Sequence, residues 1–215
     1  MEVTGTASTS TGYPIELEPE DAADAADAGA RVRRALVDDL DLGFAELYNA
    51  YRRLVFSVAL RLSGRWADAE DLSAEAFLRA YRALGSYRAD RVAELQPRSW
   101  LVTILLNVWR NSRRTAARRT QSAPLEEVPD PADPHADVER AVEQAETGRA
   151  MAKLLRELPE PHRVAVVLRH VVDLPIAEIA AIVGSPEGTV KSHISRGLTR
   201  LRELHTMQDE VSNDQ

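Results

Sequence analysis

The sequence predicts an all-α fold of two small helical domains joined by a linker rich in proline and acids. Three observations carry this expectation. Only ten glycines and eleven aromatics occur in 215 residues, against abundant Ala, Leu and Arg, which favours helix over sheet. Apolar residues recur at three- and four-residue intervals through long stretches, the period of a helix buried on one face. Four prolines, Pro124, Pro129, Pro131 and Pro134, interrupt that period near the middle of the chain.

Residues 1–30 mix Ser, Thr, Gly and acids with Ala, so they read as disordered, and Arg31–Leu40 reads at most as a short helix. Phe44, Leu47, Tyr48, Tyr51, Val55, Val58 and Leu62 then form one stripe of a long helix, which Gly64 ends. A second helix is expected from about Ala67 to Leu84, with Leu72, Ala76, Phe77, Ala80 and Leu84 inward. Gly85–Gln96 reads as a loop, and Pro97 opens a third helix that runs to about Ala117.

Gln121–Asp137 is the expected linker. A second unit begins near Val138, and its first helix stops at Pro159. Pro161 starts another helix, with Val164, Val167, Leu168 and Val171 inward. Asp173-Leu174-Pro175 turns the chain into a short helix carrying Ile176, Ile179, Ala180 and Val183. Gly184 then fits a helix C′ position, Ser185 an N-cap and Pro186 the first helical residue. Two helices so closely joined, the second basic, read as a helix-turn-helix. In the last helix Val190, Ile194, Gly197, Leu198 and Leu201 face inward.

Composition narrows the function. The chain has no cysteine, which excludes structural disulfides, thiolate zinc sites and a cysteine nucleophile. No apolar run approaches the roughly 20 residues of a membrane span, and no signal sequence is evident, so a cytoplasmic protein without membrane insertion is expected. The net charge of −7 argues weakly against a nucleic-acid partner until it is partitioned. Residues 1–42 carry ten acids against three bases, and 43–120 carry fourteen bases against seven acids. Residues 121–149 are again acidic, and 150–215 nearly neutral. Between Leu95 and Leu125 stand Arg98, Arg110, Arg113, Arg114, Arg118 and Arg119 with no acid. Such a run repels itself unless it meets an anion.

Three groups of residues could carry function. Thr189, Ser192, His193, Arg196 and Arg200, flanked by Lys191, put hydroxyls and cations on one face of the last helix, which suits contacts in a DNA major groove. On the third helix Trp100, Asn107, Arg110 and Arg114 combine an aromatic ring with amide and guanidinium groups. Single-stranded DNA needs that combination, because bases stack on rings and amides read their edges. The competing reading makes Trp100 and Trp109 core residues and the arginines a solvated helix end. The third group is Asp68, Glu70, Asp71 and Glu75. Carboxylates at this spacing could hold a metal or act as acid and base, could complement a helix dipole, or could dock a basic partner. No histidine lies nearby and no second acidic helix is evident, so neither metal nor cofactor is expected. His135, His162, His170, His193 and His205 show no metal-ligand spacing, and no Gly-rich phosphate loop or nucleophile elbow occurs. No enzymatic activity is expected.

In this order the segments FAELYNAYRRLVFSVALRL, DAEDLSAEAFLRAYRAL, SWLVTILLNVWRN and LPEPHRVAVVLRHVVDLPIAEIAAIVGSPEGTVKSHISRGLTRLRE resemble bacterial RNA polymerase sigma factors. Phe44–Arg119 resembles their region 2 and Leu154–Leu204 their region 4. The lack of an intervening region 3 points to the extracytoplasmic-function (ECF) branch. The resemblance implies a region 2-like domain at 43–120, a linker at 121–137 and a region 4-like domain at 138–206. The flanks, 1–42 and 207–215, are then an acidic, disordered tail and a short C-terminal tail.

By the same resemblance Asp68, Glu70, Asp71, Leu72, Glu75 and Phe77 bind the β′ clamp helices of core RNA polymerase, and region 4 meets the β flap. Arg98, Ser99, Trp100, Asn107, Arg110, Arg113 and Arg114 read the single-stranded −10 element. An Asn seven residues after the Trp lines the pocket for an extruded base in the family, and Asn107 stands seven after Trp100. Ser185, Pro186, Gly188, Thr189, Lys191, Ser192, His193, Arg196 and Arg200 face the −35 duplex. An anti-sigma factor is a possible further partner. Two departures are visible. The loop Tyr87–Ser99 is about four residues longer than usual in the family, and positions 193 and 195 carry His and Ser where Arg and a larger side chain are common.

The residues by themselves leave open a dimeric helix-turn-helix regulator that binds double-stranded DNA without core polymerase. Such a regulator has no need of the Asp68–Glu75 face together with the Trp100–Arg114 helix.

Overall fold

A computed structural model of the chain describes residues 19–120, 148 and 150–213, and every element among them is helical. The expected linker 121–137 and the start of the second unit at Val138 lie outside the described residues.

Helix α1, Pro19–Asp38, corrects the reading of 1–42 as a disordered tail. Its Val32 and Leu36 are buried in the main core against α2, Leu40–Ser63. The acids of this segment made it look unfoldable on average, but Val32 and Leu36 are four apart and share one face. Only Asp39 separates α1 from α2. Its carboxylate accepts the Leu42 N–H at 2.8 Å and so caps α2, which places the 42/43 boundary inside a helix.

Helix α2 buries Leu47, Tyr51, Val55, Val58 and Leu62 as expected. Tyr48 departs from that stripe, 45% exposed with its ring edge-on to Phe77 at 4.9 Å. Gly64 ends the helix in the left-handed region, φ 75°, and donates its N–H to Leu60 O. Helix α3, Trp66–Leu84, buries the five expected residues and also Ala69 and Ser73.

The expected loop 85–96 contains a further turn, α4, Ala89–Ala93, which packs on α1. Val92 and Leu95 give the extra chain a buried anchor. Helix α5, Pro97–Thr120, then crosses α2 and α3 and buries Leu101, Val102, Leu105, Leu106, Val108 and Trp109. Large side chains buried to this extent contribute about 1.5–3 kcal/mol each, so this row ties α5 to the core.

The second unit comprises α6, described over residues 150–156, α7, Glu160–His170, α8, Ile176–Val183, and α9, Glu187–Asn213. Val172 is fully buried, whereas the expected Val171 is half-buried. Gly184 takes φ 67° after α8, as its place in the turn requires. Pro186 O accepts from the Thr189 and Val190 N–H groups at 2.9 and 3.1 Å and α9 starts at Glu187, so the helix begins one residue later than Ser185-Pro186 suggests. Helix α9 runs on to Asn213, so most of 207–215 is helical rather than a tail. Helices α7, α8 and α9 pack on one another around Ile179, Val190 and Leu168.

Candidate functional site

Helix α9 presents Gly188, Thr189, Lys191, Arg196 and Arg200 to solvent, while Val190 is fully buried and Ile194, Leu198 and Leu201 lie partly buried against the core. The alternation follows from a straight helix carrying apolar residues at three- and four-residue steps. Ser185, Ser192 and His193 are half-buried, and Pro186 is exposed. Two of the expected DNA contacts are engaged within the protein. Arg200 pairs with Glu203 at 3.0 Å, one turn away. His193 leans back towards α7, where its ring centroid lies 5.1 Å from that of His162. Burial, and then the neighbouring His193 and Arg196, hold the His162 imidazole below the usual histidine range. His162 Cβ and Val166 also lie under Gly197, where a side chain at 197 would meet Val166 Cγ2 at 2.7 Å. That glycine lets α9 approach α7 closely.

Helix α5 divides the expected single-strand contacts. Trp100, Asn107, Arg110 and Arg114 fall along one stripe at seven-, three- and four-residue steps. Asn107 and Arg114 are exposed, and Trp100 and Arg110 half-buried. Trp109 is core, 2% exposed, whereas Trp100 is half-buried and packs against the core with part of its ring open. The Trp100 Nε1–H donates to Tyr87 Oη at 3.3 Å with the rings edge-on, and the Arg91 guanidinium sits 3.7 Å over the Tyr87 ring. Tyr87 and Arg91 therefore flank Trp100, a neighbourhood that the sequence reading did not identify. The available signal was an aromatic and a cation in the loop before Trp100, but a loop has no period to assign them a face.

Two arginines leave the stripe. Arg98 turns towards α1 and α2: its charge, with that of Arg33, acts on the Tyr51 phenol, whose pKa burial nevertheless raises. The Arg98 Nε is buried without a hydrogen-bond partner. Arg113, 50% exposed, forms an ion pair with Glu160 of α7 and lies 5.3 Å from the Trp109 ring. Ser99 is half-buried beside Trp100.

The six residues expected to bind polymerase also separate. Leu72 and Phe77 are core residues, 6% and 7% exposed. Asp68, Asp71 and Glu75 line a cleft shared with Trp109, Arg113 and Arg163. Glu75 holds Arg79 at 2.7 Å, and Asp68 lies 3.9 Å from Arg65. Among the described residues no three His, Asp or Glu side chains come close enough to hold a metal ion. Glu70 faces the other way, into a groove of about 720 Å³ between α2 and α3. Phe44, Tyr48, Phe56, Trp66, Leu78 and Tyr81 line it, with Arg52 and Arg53 at its side. Tyr48, Leu78 and Tyr81 are exposed there beside the half-buried Phe44, Phe56 and Trp66, and a contiguous apolar patch of this kind marks an interaction surface. Glu70, Ala74, Leu78 and Tyr81 recur at helical spacing on α3, a third face legible in the sequence but not singled out there.

Among the described residues no helix is long and apolar enough to cross a membrane. Residues 47–119 match the family model for Sigma-70 region 2, and 148–201 that for Sigma-70, region 4. The chain is 35% identical over 161 residues to the ECF RNA polymerase sigma factor SigM of Mycobacterium tuberculosis, covering 75% of this chain and 76% of that protein. It is 28% identical over 179 residues to the ECF RNA polymerase sigma factor SigW of Bacillus subtilis, covering 80% and 93%. Among solved structures, the sigma factor RpoE of Bartonella quintana, in complex with the anti-sigma factor NepR, superposes with a TM-score of 0.60 at 25% identity, covering 76% of this chain and 96% of that one. CnrH, in complex with the cytosolic domain of CnrY, gives the same TM-score at 21% identity, covering 84% and 99%, a likeness of fold.

Proposed function

This chain belongs to the ECF RNA polymerase sigma factors, and from that premise we propose how its surfaces share the work of starting transcription. It binds core RNA polymerase, directs it to promoters and helps to open the −10 element. Sigma factors are regulators rather than enzymes, and no chemical step is assigned to the chain. The proposed region 2 domain is 19–120, including α1 because Val32 and Leu36 sit in its core. The proposed region 4 domain comprises 150–213.

Helix α3 is the proposed docking surface for the β′ clamp helices. Glu70 and the aromatic groove lie on one side of it and Asp68, Asp71 and Glu75 on the other, with Leu72 and Phe77 supporting the surface from beneath. The α6–α9 unit is the proposed contact for the β flap. On α5, Trp100 supplies the ring on which an unpaired base stacks, and Asn107 the amide that reads its edge. Arg110 and Arg114 meet the backbone phosphates. On α9, Lys191 and Arg196 neutralise phosphates, while Thr189, Ser192 and His193 approach base edges in the −35 duplex. An anti-sigma protein is the proposed inhibitory partner, since the RpoE relative is seen with one.

The observation that carries this reading is the stripe Trp100–Asn107–Arg110–Arg114, half-buried to exposed, on a helix whose opposite side is core. Run-off transcription with core enzyme on genomic fragments tests it. The chain should confer promoter-specific transcripts, and Asn107→Ala should reduce permanganate reactivity of −10 thymines while leaving binding to core unchanged. Absence of any transcript dependent on the chain would refute the reading.

A further inference from the structure

The side of α9 assigned to the −35 duplex has one member that is held from behind. Thr189, His193, Arg196 and Arg200 follow one another at four-, three- and four-residue steps and share a side of the helix. Thr189, Arg196 and Arg200 are exposed, whereas His193 is half-buried. The cause lies one turn further along. Gly197, four residues after His193, is buried where α9 crosses α7. A Cβ there would stand 2.7 Å from Val166 Cγ2 and 3.5 Å from both Cβ and the carbonyl oxygen of His162, so the missing side chain sets how near the helices come. The first turn of α7 fixes where His162 stands, since its N–H donates to Pro159 O at 3.0 Å. At this separation the His162 ring meets the His193 ring, 5.1 Å from centroid to centroid with the planes inclined by 43°.

We propose that His162 is a positioning residue for promoter reading: from α7, outside the helix-turn-helix, it fixes the His193 ring so that one edge of the imidazole faces a single base pair of the −35 duplex. This rests on the assignment of α9 to that duplex. A side chain that must be ordered on binding lowers affinity for every sequence, and a ring free to turn can donate to more than one base edge. Fixing the ring beforehand removes the first effect and narrows the second. His162 suits the part because it packs without adding charge. Burial and the neighbouring His193 and Arg196 lower its pKa, so the imidazole is neutral near pH 7. A lysine or arginine in its place would repel Arg196, whereas a neutral ring offers a flat surface and leaves the Arg196 charge to the DNA.

Holoenzyme assembled from the full chain and core polymerase tests this on a promoter obtained by run-off from genomic fragments, with each −35 base pair replaced in turn. At the base pairs it reads, the parent should discriminate by roughly five- to hundredfold. His193→Ala should lower that discrimination at one base pair by about threefold or more. His162→Ala should lower it at the same base pair by a similar factor and leave the other −35 positions as they were. His162→Gln, which keeps the bulk but not the ring, should do the same, so the outcome does not hinge on a cavity. His162→Phe, which keeps a ring, should retain the parental preference. The double variant His162→Ala/His193→Ala should be no more relaxed than His193→Ala alone, because His162 acts only through that ring. If His162 merely held α7 against α9, its loss would weaken binding at every base pair alike and add to the effect of His193→Ala. That pattern, a relaxed preference at a different base pair, or a His193→Ala protein with parental preferences would overturn the proposal. A parent holoenzyme indifferent to every −35 replacement would instead remove the assignment of α9 to the duplex, and the proposal with it.

Discussion

Gly43 offers the sharpest test of whether α1 belongs to the folded domain. It lies in the first turn of α2, where α1 crosses. A Cβ built there would stand 2.3 Å from Leu36 N, 2.4 Å from Leu36 Cα and 2.6 Å from the Ala35 carbonyl carbon. All three are backbone atoms, so no side-chain rotation relieves the clash, and Gly43→Ala must push α1 away. In isolation the change should help by about 1 kcal/mol, because alanine is the better helix former. Against this stands the docking of Val32 and Leu36, 1% and 6% exposed. Burying each is worth about 1.5–3 kcal/mol. With most of that lost and the propensity gain subtracted, a net destabilisation of about 2–4 kcal/mol is expected.

Gly85→Ala is the control. Gly85 has φ −60° and its Cβ would meet nothing nearer than 3.7 Å, so this variant should range from neutral to about 1 kcal/mol more stable. Urea unfolding followed by tryptophan fluorescence reads the right domain, since Trp66, Trp100 and Trp109 lie on α3 and α5. A Gly43→Ala protein within about 0.5 kcal/mol of the parent, or more stable than it, would refute the argument.

Three further outcomes follow from the same geometry. Lys191→Ala and Arg196→Ala should each lower affinity for a −35 duplex and reduce the slope of log K against log salt by about 1, measured by anisotropy. Arg200→Ala should do less, because Glu203 already holds that guanidinium. Glu70→Lys should weaken core binding at least tenfold in a pull-down with no change in unfolding midpoint, whereas Phe77→Ala should lose about 3–5 kcal/mol of stability. Finally, the lowered His162 pKa means that the unfolded chain binds more protons than the folded one just below the ordinary histidine value. Stability of the α6–α9 unit should therefore be full above about pH 6.5 and fall as the pH drops through it, and His162→Gln should flatten that slope in melts followed by circular dichroism.

The helix-turn-helix was legible because each of its signals is local. Gly184 must adopt a positive φ, Pro186 cannot lie deep in a helix, and the stripe Val190–Ile194–Leu198–Leu201 has the helical period. The same holds for the cores of α2, α3 and α5. Helix α1 was legible only as a short helix at Arg31–Leu40, because its composition is dominated by acids and only two residues, Val32 and Leu36, show the face that docks it. Helix α4 was missed because five residues carry too short a pattern to show a period. Tyr87 and Arg91 were missed for a related reason: they reach Trp100 from a neighbouring element.

What the sequence determined by itself was the helices α2, α3, α5, α7, α8 and α9, the turn between α8 and α9, and the residue types able to meet polymerase and DNA. These depend on spacing along one chain, and the 3.6-residue period assigns each residue a side of its own helix. The tertiary structure alone decided which sides face which. It buried Leu72 and Phe77, divided Glu70 from Asp68, Asp71 and Glu75, and turned Arg98 inward. It also gave Arg113 to Glu160 in place of the DNA stripe. Those outcomes depend on how helices distant in sequence rotate and dock. Burial of apolar surface and the pairing of half-desolvated charges set that choice, and neither has a period along the chain.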